Sequence, residues 1–243
     1  MGAALAIAIG YRGAIFSSGV LVALVATAVI FLVPADIVRR HGRGPAETET
    51  ALEPFRPTLQ LALAIFLYFS LFALNAFRSV ATPIALKDIA GAQVTAVTGI
   101  AFFLGGIASA IGVWLLAGRF FSKRRLRSVL VACSVASGAG HLFLALADSA
   151  WLYVVAFTVA SLLNAAMMPA TNALIAFNVS RARRGTAFGL ASGAQAVAFM
   201  VGPMGAALFA ASLKLGFAIV GVLLVGLAAL IGLAIREPKT GSE

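Results

Sequence analysis

Residues 94–117 read VTAVTGIAFFLGGIASAIGVWLLA, without a single charged side chain. A helix needs about 20 such residues to cross the ~30 Å hydrocarbon layer of a membrane at 1.5 Å per residue. Backbone groups in lipid must pair with one another, so an apolar stretch of this length predicts a spanning helix. Further stretches of sufficient length lie at 14–33, 58–84, 128–147, 151–176, 186–211 and 215–235. We therefore predict an all-α integral membrane protein with seven spanning helices.

The composition of the whole chain agrees with lipid as part of its solvent. The chain is 62% hydrophobic and 11% charged, whereas soluble domains carry roughly 45–50% apolar and about 25% charged residues. A soluble fold would lack a polar shell at this ratio. The lone Cys133 lies inside a predicted span, so the sequence allows no disulfide within the chain and indicates a buried structural thiol.

The net charge of +10 is concentrated in alternate connections between the predicted spans. All but four of the 18 lysines and arginines lie in these connections or in the tail; the exceptions are Arg12, Arg78, Lys87 and Lys214. The positive-inside rule then places the C-terminus and the 34–57 segment in the cytoplasm. We predict a multi-pass protein of the plasma (bacterial inner) membrane, with lipid as a partner and no need for nucleic acid to explain the charge.

The chain divides around one long polar segment. Residues 34–57 contain four prolines and mixed charges, which is typical of a solvated linker. The predicted organisation is therefore an N-terminal piece at 1–33, a cytoplasmic linker at 34–57, a six-span block at 58–235 and a cytoplasmic tail at 236–243.

An internal repeat extends this division. Residues 1–5 and 204–208 both read MGAAL, and each copy is followed by a turn, an apolar helix and a stop with charge and proline. Parallel repeats of six helices are a known transporter plan. We expect the chain to be the C-terminal part of a protein of about twelve spans. Such a part is a truncated or mis-started reading frame, or pairs with an N-terminal half or with itself.

Several motifs are similar to those of a known transporter family. The supporting ones are Gly10-Tyr11-Arg12, the basic 34–57 linker, Leu116-Ala117-Gly118-Arg119-Phe120 and Met168-Pro169-Ala170-Thr171-Asn172-Ala173-Leu174. More specific are Arg184-Gly185-Thr186-Ala187-Phe188-Gly189-Leu190 and Gly202-Pro203-Met204-Gly205-Ala206. The chain resembles the major facilitator superfamily, in particular its bacterial multidrug-efflux branch, from the end of helix five to helix twelve. The resemblance implies a six-helix half bundle preceded by one helix and a helix stub.

The loop after the third span departs from the family pattern. The family loop resembles G-x-L-A-D-R-x-G-R-R, but Gly118 stands at the Asp position and Trp114 at the first Gly. A cytoplasmic basic loop remains, consisting of Arg119, Lys123, Arg124 and Arg125. The helices that usually carry the coupling acid and its basic partner, helices one and four, have no counterpart in the chain.

One predicted span carries a stripe of small residues. Gly185, Gly189 and Gly193 recur every fourth residue, and Gly202, Pro203 and Gly205 are expected to break the helix's regularity. Small residues allow close approach between membrane helices, so the pattern predicts a helix-packing motif. The resemblance implies the same role, because the family uses this motif to pack two helices and limit leakage.

A polar face on the span at 58–84 is the first candidate for substrate binding. Asn75, Arg78, Ser79 and Thr82 recur at i, i+3, i+4 and i+7 and therefore share one face. An arginine inside a span costs at least ~2.5 kcal/mol at the bilayer centre, which favours a functional role. Arg78 also lies near the outer end of the span, where it could instead be an interfacial anchor. The resemblance favours a cavity-lining position, since the seventh helix lines the central cavity in this family.

A second candidate face lies on the span at 151–176. Asn164, Met168 and Asn172 recur every fourth residue, and Pro169 is expected to interrupt the helix beside them. Amides in a membrane helix need partners within protein or water, and methionine adapts to varied apolar ligands. The face either lines a substrate cavity or makes hydrogen bonds between helices. Gln195 and His141 are expected to make structural hydrogen bonds.

The motifs favour transport over catalysis. No Asp or Glu lies inside a predicted span, and the chain lacks metal-ligand spacing, a nucleophile–base pair and a phosphate-binding loop, so no cofactor is expected. We predict a secondary-active carrier for a small molecule, specifically a proton-coupled multidrug exporter with an amphipathic or cationic substrate. The alternative is a non-transporting membrane scaffold or accessory protein that binds partner helices through the glycine stripe.

Overall fold

The computed structural model describes residues 58–120 and 126–235, and residues 10, 12–13, 15–17, 19–24, 26–27 and 31. Two compact units result, Met1–Arg56 and Pro57–Glu243. In the first unit every described residue is helical. The predicted 34–57 linker and the 236–243 tail lie outside the described residues, and the predicted domain boundaries stay predictions.

The second unit consists of six α-helices, which we call the six-helix block. They are α1 (Leu59–Ala90), α2 (Val94–Phe120), α3 (Leu126–Leu146), α4 (Ala150–Phe177), α5 (Arg184–Leu208) and α6 (Leu213–Ala234). Short 3-10 turns at Gly91–Gln93 and Arg181–Arg183 precede α2 and α5. No strand occurs among the described residues. The prediction of an all-α membrane fold is confirmed.

Five apolar helical segments of the described chain are long enough to cross a membrane. The first, Leu59–Leu115, comprises 57 residues and contains both α1 and most of α2. A single helix of that length would extend about 85 Å, far beyond a ~30 Å hydrocarbon layer. We therefore count two crossings, with the reversal at Gly91, where φ is 52° and the backbone N–H donates to Lys87 O.

Two of the helices, α1 and α4, begin at capping side chains. The Thr58 hydroxyl accepts from the Leu61 amide at 3.2 Å, and the Ser149 hydroxyl accepts from the Leu152 amide at 3.3 Å. Each cap satisfies one of the amides that a helix N-terminus leaves without an intrahelical acceptor. The sequence predicted the starts of α1 and α4 to within one residue, but α1 ends at Ala90 and not at residue 84.

Three prolines lie inside helices without ending them. Pro83 lies in α1, Pro169 in α4 and Pro203 in α5. The expectation that Pro169 interrupts its helix is wrong, because α4 continues through it, whereas the expected loss of regularity around Pro203 stays a prediction. Proline removes one backbone donor, but any non-helical backbone in lipid would leave more groups unpaired, so the helix continues.

Glycines set the closest approaches between helices. A Cβ added at Gly112 of α2 would lie 2.3 Å from Leu162 O of α4. A Cβ at Gly138 of α3 would lie 2.8 Å from Gly221 O of α6, and the reverse distance, from Gly221 to Gly138 O, is 2.9 Å. These backbones touch because no side chain separates them. Close backbone contacts of this kind therefore join α2 to α4 and α3 to α6.

The remaining contacts place α1 and α4 at the centre of the block. α1 packs extensively on α5 and also contacts α4, while α4 packs on α2 and α3. At the end of α6, Gln60 Nε2 donates to Ala234 O at 2.7 Å and Arg127 Nη2 donates to Gly232 O. These bonds tie the last carbonyls of α6 to α1 and α3.

Replacement of Gly112 by alanine tests the close approach of α2 and α4. The new Cβ would overlap the Leu162 carbonyl, and overpacking of this kind costs about 1–3 kcal/mol. Alanine favours a helix by ~1 kcal/mol over glycine, so the net loss is smaller than the clash alone. We expect Gly112→Ala to lower the melting temperature of the purified protein in detergent by several degrees.

Gly106→Ala is the matched control on the same helix. A Cβ at Gly106 has no described atom within 4 Å, so only the gain in helix propensity applies. Its melting temperature should equal or exceed that of the parent. Equal behaviour of the two variants would contradict the packing of α2 on α4.

Candidate functional site

Arg78 points into the six-helix block and not toward lipid. It is 6% exposed, and its guanidinium carbon lies 4.6 Å from the centroid of the Phe157 ring on α4. Phe157 lies two turns inside α4, about 10 Å from the first residue of that helix at 1.5 Å per residue. An interfacial anchor would extend its charged head to the surface, so the structure disfavours that interpretation of Arg78.

Two hydrogen bonds surround this cation. Tyr153 Oη of α4 donates to Thr82 Oγ1 of α1 at 3.1 Å, with both residues buried. Arg78 Nη2 donates to Asn75 Oδ1 at 3.5 Å, the outer limit for such a bond. Arg78 is thus held by a ring face, a weak amide contact and a buried hydroxyl pair one turn away. None of these groups carries a negative charge.

His141 of α3 completes the buried polar group. It has no exposed surface, and its Nδ1 lies 2.7 Å from Ser137 O. A carbonyl can only accept, so Nδ1 carries the proton and Nε2 presents a lone pair. His141 and Arg78 are both buried within the six-helix block. We call Arg78, Thr82, His141 and Tyr153 the buried polar cluster; the exposed Asn75 borders it.

No counter-ion for Arg78 is found in the described part of the chain. The only carboxylates there belong to Asp88 and Asp148; both are exposed, and Asp148 pairs with Lys214. Arg78 Nη1 and His141 Nε2 are buried without a hydrogen-bond partner among the described residues, as is Asn164 Oδ1. Buried polar atoms are nearly always satisfied, so each of these atoms is a candidate to bond a water molecule or another group.

The predicted polar face of α1 divides at its middle. Arg78 and Thr82 are buried, whereas Asn75 and Ser79 are exposed. The boundary of the packed block therefore runs through this face, and Asn75 lies on the exposed side in contact with the buried guanidinium. The role of the face in substrate binding stays a prediction.

The predicted face of α4 is partly enclosed. Asn164 is 6% exposed, and Met168 and Asn172 are half-buried. Met167, which precedes Met168, is fully buried, and Ser134 Oγ of α3 lies 3.8 Å from its sulfur. The structure does not show whether the face binds a ligand, but Asn164 retains an acceptor without a partner.

The predicted helix-packing motif separates into two groups. Gly202 packs tightly on α1, where an added Cβ would lie 2.6 Å from Ala73 O, and Gly205 lies near Phe77 beside the half-buried Pro203. Gly185, Gly189 and Gly193 are exposed, and an added Cβ at each would meet nothing within 4 Å among the described residues. The first group packs within the block, and the second forms an open face.

The predicted basic loop is largely outside the described residues. Lys123, Arg124 and Arg125 fall there, and the structure gives only the backbone of Arg119, within α2. Its role stays a prediction.

Tyr153 and Phe157 contribute to the cluster but were not predicted from the sequence. Together with Ser161 they recur every fourth residue on α4, and Asn164 continues that side of the helix. An aromatic hydroxyl inside a span needs a partner, because the lipid offers none. That requirement could have identified Tyr153.

A separate groove of about 690 Å³ lies between α1, α5 and α6. Its walls are almost entirely apolar, formed by residues such as Phe66, Phe69, Leu223 and Leu227. Among the predicted candidate residues it contains only Gly202 and Gly205. It is therefore distinct from the buried polar cluster.

Comparison with known families identifies the family of the chain. The model of the Major Facilitator Superfamily matches residues 76–243, which include α2 to α6 and the last 15 of the 32 residues of α1. The chain belongs to the major facilitator superfamily. No curated protein and no solved structure matches it significantly. Members of the superfamily are transporters and not enzymes, so the chain is a multi-pass membrane protein of a transporter family.

The Tyr153–Thr82 bond can be measured by a double-mutant cycle. The single variants Tyr153→Phe and Thr82→Val each remove one hydroxyl, and their unfolding free energies should be non-additive. Hydrogen bonds between membrane helices average ~0.6 kcal/mol and reach about 1.7 kcal/mol. We expect a coupling in this range from unfolding in mixed micelles.

Thr158→Val serves as the control for that cycle. Thr158 Oγ1 donates to Val154 O of its own helix, so it should show no coupling with Thr82→Val. A cycle with Tyr153→Phe that is additive within 0.3 kcal/mol, a typical error for independent sites, would show that α1 and α4 do not share this bond.

Proposed function

We propose that the chain provides the C-terminal half of a secondary-active carrier that exports small amphipathic compounds, with the proton gradient as its energy source. The observation that carries this proposal is the buried polar cluster on α1, α3 and α4, next to exposed amide and hydroxyl groups of α1. A charge inside a membrane-spanning block marks a substrate or ion pathway by default. Membership in a transporter family supports the same interpretation.

The carrier would need further helices to enclose its substrate. Asn75 and Ser79 are exposed on the six-helix block, so the block alone leaves this side of the site open. In carriers built from two repeats, substrate binds between the halves, which rock about it. An N-terminal six-helix half facing α1 and α4 would close the cavity. The exposed glycines of α5, Gly185, Gly189 and Gly193, would pack against a helix of that half.

The location follows from the same proposal. The block would lie in a bacterial inner membrane with its C-terminus in the cytoplasm, as the distribution of basic residues predicts. A non-transporting scaffold would use the same glycines, but a scaffold gives no reason for a buried arginine that has no counter-ion in the described part of the chain. Family membership therefore favours transport over the scaffold role.

Deletion of the gene in its native host tests export. Cells without the protein should accumulate amphipathic dyes to a higher level, and re-expression should restore the lower level. A protonophore should abolish the difference, because no gradient would remain. Equal dye levels in deletion and parent strains, across neutral, anionic and cationic dyes, would contradict the export function.

The exposed side of α1 can be tested in the same assay. We expect Asn75→Leu to reduce dye export severalfold, because an apolar side chain replaces the amide that borders Arg78. Ser70→Leu is the matched control, since Ser70 lies about 140° around the same helix at 100° per residue and borders the apolar groove. Similar losses in both variants, at equal expression, would exclude a specific role for this side of α1.

The open glycine face predicts a split between stability and transport. Gly193→Leu should leave the melting temperature of the purified chain unchanged, because a Cβ there meets no described atom, yet reduce transport at least tenfold by blocking helix packing in the complete carrier. Gly226→Leu on α6 is the control, since Gly226 also has open space around it. Full transport by Gly193→Leu would show that no helix packs on this face.

A further inference from the structure

The burial of the Arg78 cation bears on the charge that a substrate would carry. The proposal rests on the function proposed above and concerns the same site. We infer that the buried polar cluster binds the carboxylate of a small apolar acid, with Arg78 Nη1 as its principal donor. The carrier would then prefer anionic over cationic amphipathic compounds, in contrast to the cationic substrate considered from the sequence.

The first argument is the lack of compensation for the charge. Arg78 is 6% exposed, and neither of the described carboxylates is close to it, since Asp88 and Asp148 lie exposed near helix ends. A charge held in a low-dielectric interior is costly unless an opposite charge or several hydrogen bonds compensate it. The contacts present are a ring face and one amide oxygen at 3.5 Å. An anion at Nη1 would supply both an opposite charge and a hydrogen-bond acceptor.

The second argument is that hydrogen-bond donors without a partner lie at the site. Arg78 Nη1 is buried without a partner among the described residues. The contact with Arg78 Nη2 uses only the Asn75 oxygen and leaves the donors of its amide nitrogen for another acceptor. A carboxylate has two acceptor oxygens and can bind both donors at once. An ammonium group has only donors and would face Arg78 with a like charge.

The third argument concerns the apolar part of the ligand. The Phe157 ring covers one face of the guanidinium, and Phe102 of α2 packs edge-on against Phe157 with ring centroids 5.3 Å apart. A ligand that reached Nη1 would leave water and meet aromatic surface. Organic acids gain from this burial, whereas small inorganic anions lose hydration without that gain.

The other ionisable groups near Arg78 do not replace the anion. On α4, the Tyr153 hydroxyl donates to Thr82. On α3, His141 Nδ1 lies 2.7 Å from the Ser137 carbonyl oxygen, which can only accept a hydrogen bond. His141 Nε2 could accept from Arg78 Nη1 directly or through a water molecule, and that contact is the competing account of both unpartnered atoms. The two accounts differ in what they predict for ligand binding.

Calorimetric titration of the purified protein in detergent distinguishes them. The probes are benzoate, its neutral isostere benzamide, the cation benzylammonium, and chloride at equal ionic strength. We expect benzoate to bind at least tenfold more tightly than benzamide, and neither benzylammonium nor chloride to saturate. Equal affinity for benzoate and benzamide, or tighter binding of benzylammonium, would overturn the inference and leave the internal His141 contact as the explanation.

Variants assign the preference to its residues. Arg78→Gln should bring the affinities for benzoate and benzamide within twofold of each other, and Asn75→Ala should weaken benzoate binding about threefold to tenfold. Lys87→Gln is the matched control, because it removes a positive charge from the exposed end of the same helix. If Arg78→Gln does not fold, the ligand preference of the parent protein and the result for Asn75→Ala still decide whether the site binds a carboxylate. A parent-like preference in a folded Arg78→Gln protein would contradict the assignment.

The outcome is separable from that of the export proposal. Preference for benzoate in the purified protein, together with equal dye levels in deletion and parent strains, would retain the site and exclude export. Dye export without the anion preference would retain export and exclude the carboxylate site.

Discussion

The close approach of helix backbones at glycine is the constraint on which the six-helix block depends. In lipid, apolar side chains gain nothing by leaving one helix surface for another, so association depends on packing and a few hydrogen bonds. Gly112 brings α2 onto α4, Gly138 and Gly221 bring α3 onto α6, and Gly202 brings α5 onto α1. With these contacts formed, α4 is enclosed between α1, α2 and α3, and its polar side chains become the interior of the block.

α4 stabilises the buried Arg78 with an aromatic ring and not with a negative charge. A cation over an aromatic face gains up to about 2 kcal/mol when desolvated, which offsets part of the cost of burial but leaves Nη1 unpaired. A carboxylate from a neighbouring helix would stabilise the empty protein further. It would also compete with an anionic ligand for the same donor. A buried cation with no counter-ion among the described residues therefore suits a site that must be empty for part of a transport cycle.

The sequence predicts the helices of this protein well and the site only in part. Long apolar stretches identified all six helices of the block, because the membrane imposes both their length and their internal hydrogen bonding. The predicted end of α1 is too early because Lys87 and Asp88 interrupt the apolar stretch while the helix continues to Ala90. Helical spacing grouped Asn75, Arg78, Ser79 and Thr82 correctly on one side of α1. It could not show that the packed boundary divides them, because that boundary depends on where α4 lies.

The same limitation explains the glycines of α5. Gly189 and Gly202 are equivalent in sequence, since both are small residues in an apolar span, and only the position of α1 distinguishes the packed from the open one. Residues that meet a distant helix can be recognised from chemistry when they carry a polar atom, as for Tyr153. Glycine carries no such signal.

The contacts between α1 and α4 also bear on how a carrier of this kind would move. Arg78 lies against Phe157, and Tyr153 donates to Thr82, so the polar cluster is built across this one helix pair. Separation of α1 from α4 would expose the guanidinium and break a buried hydrogen bond together. Movement of the six-helix block as one body preserves both. Under the proposed rocking mechanism, access to Arg78 would therefore change at the exposed side of α1, where Asn75 lies, while the donors that bind the ligand keep their relative positions.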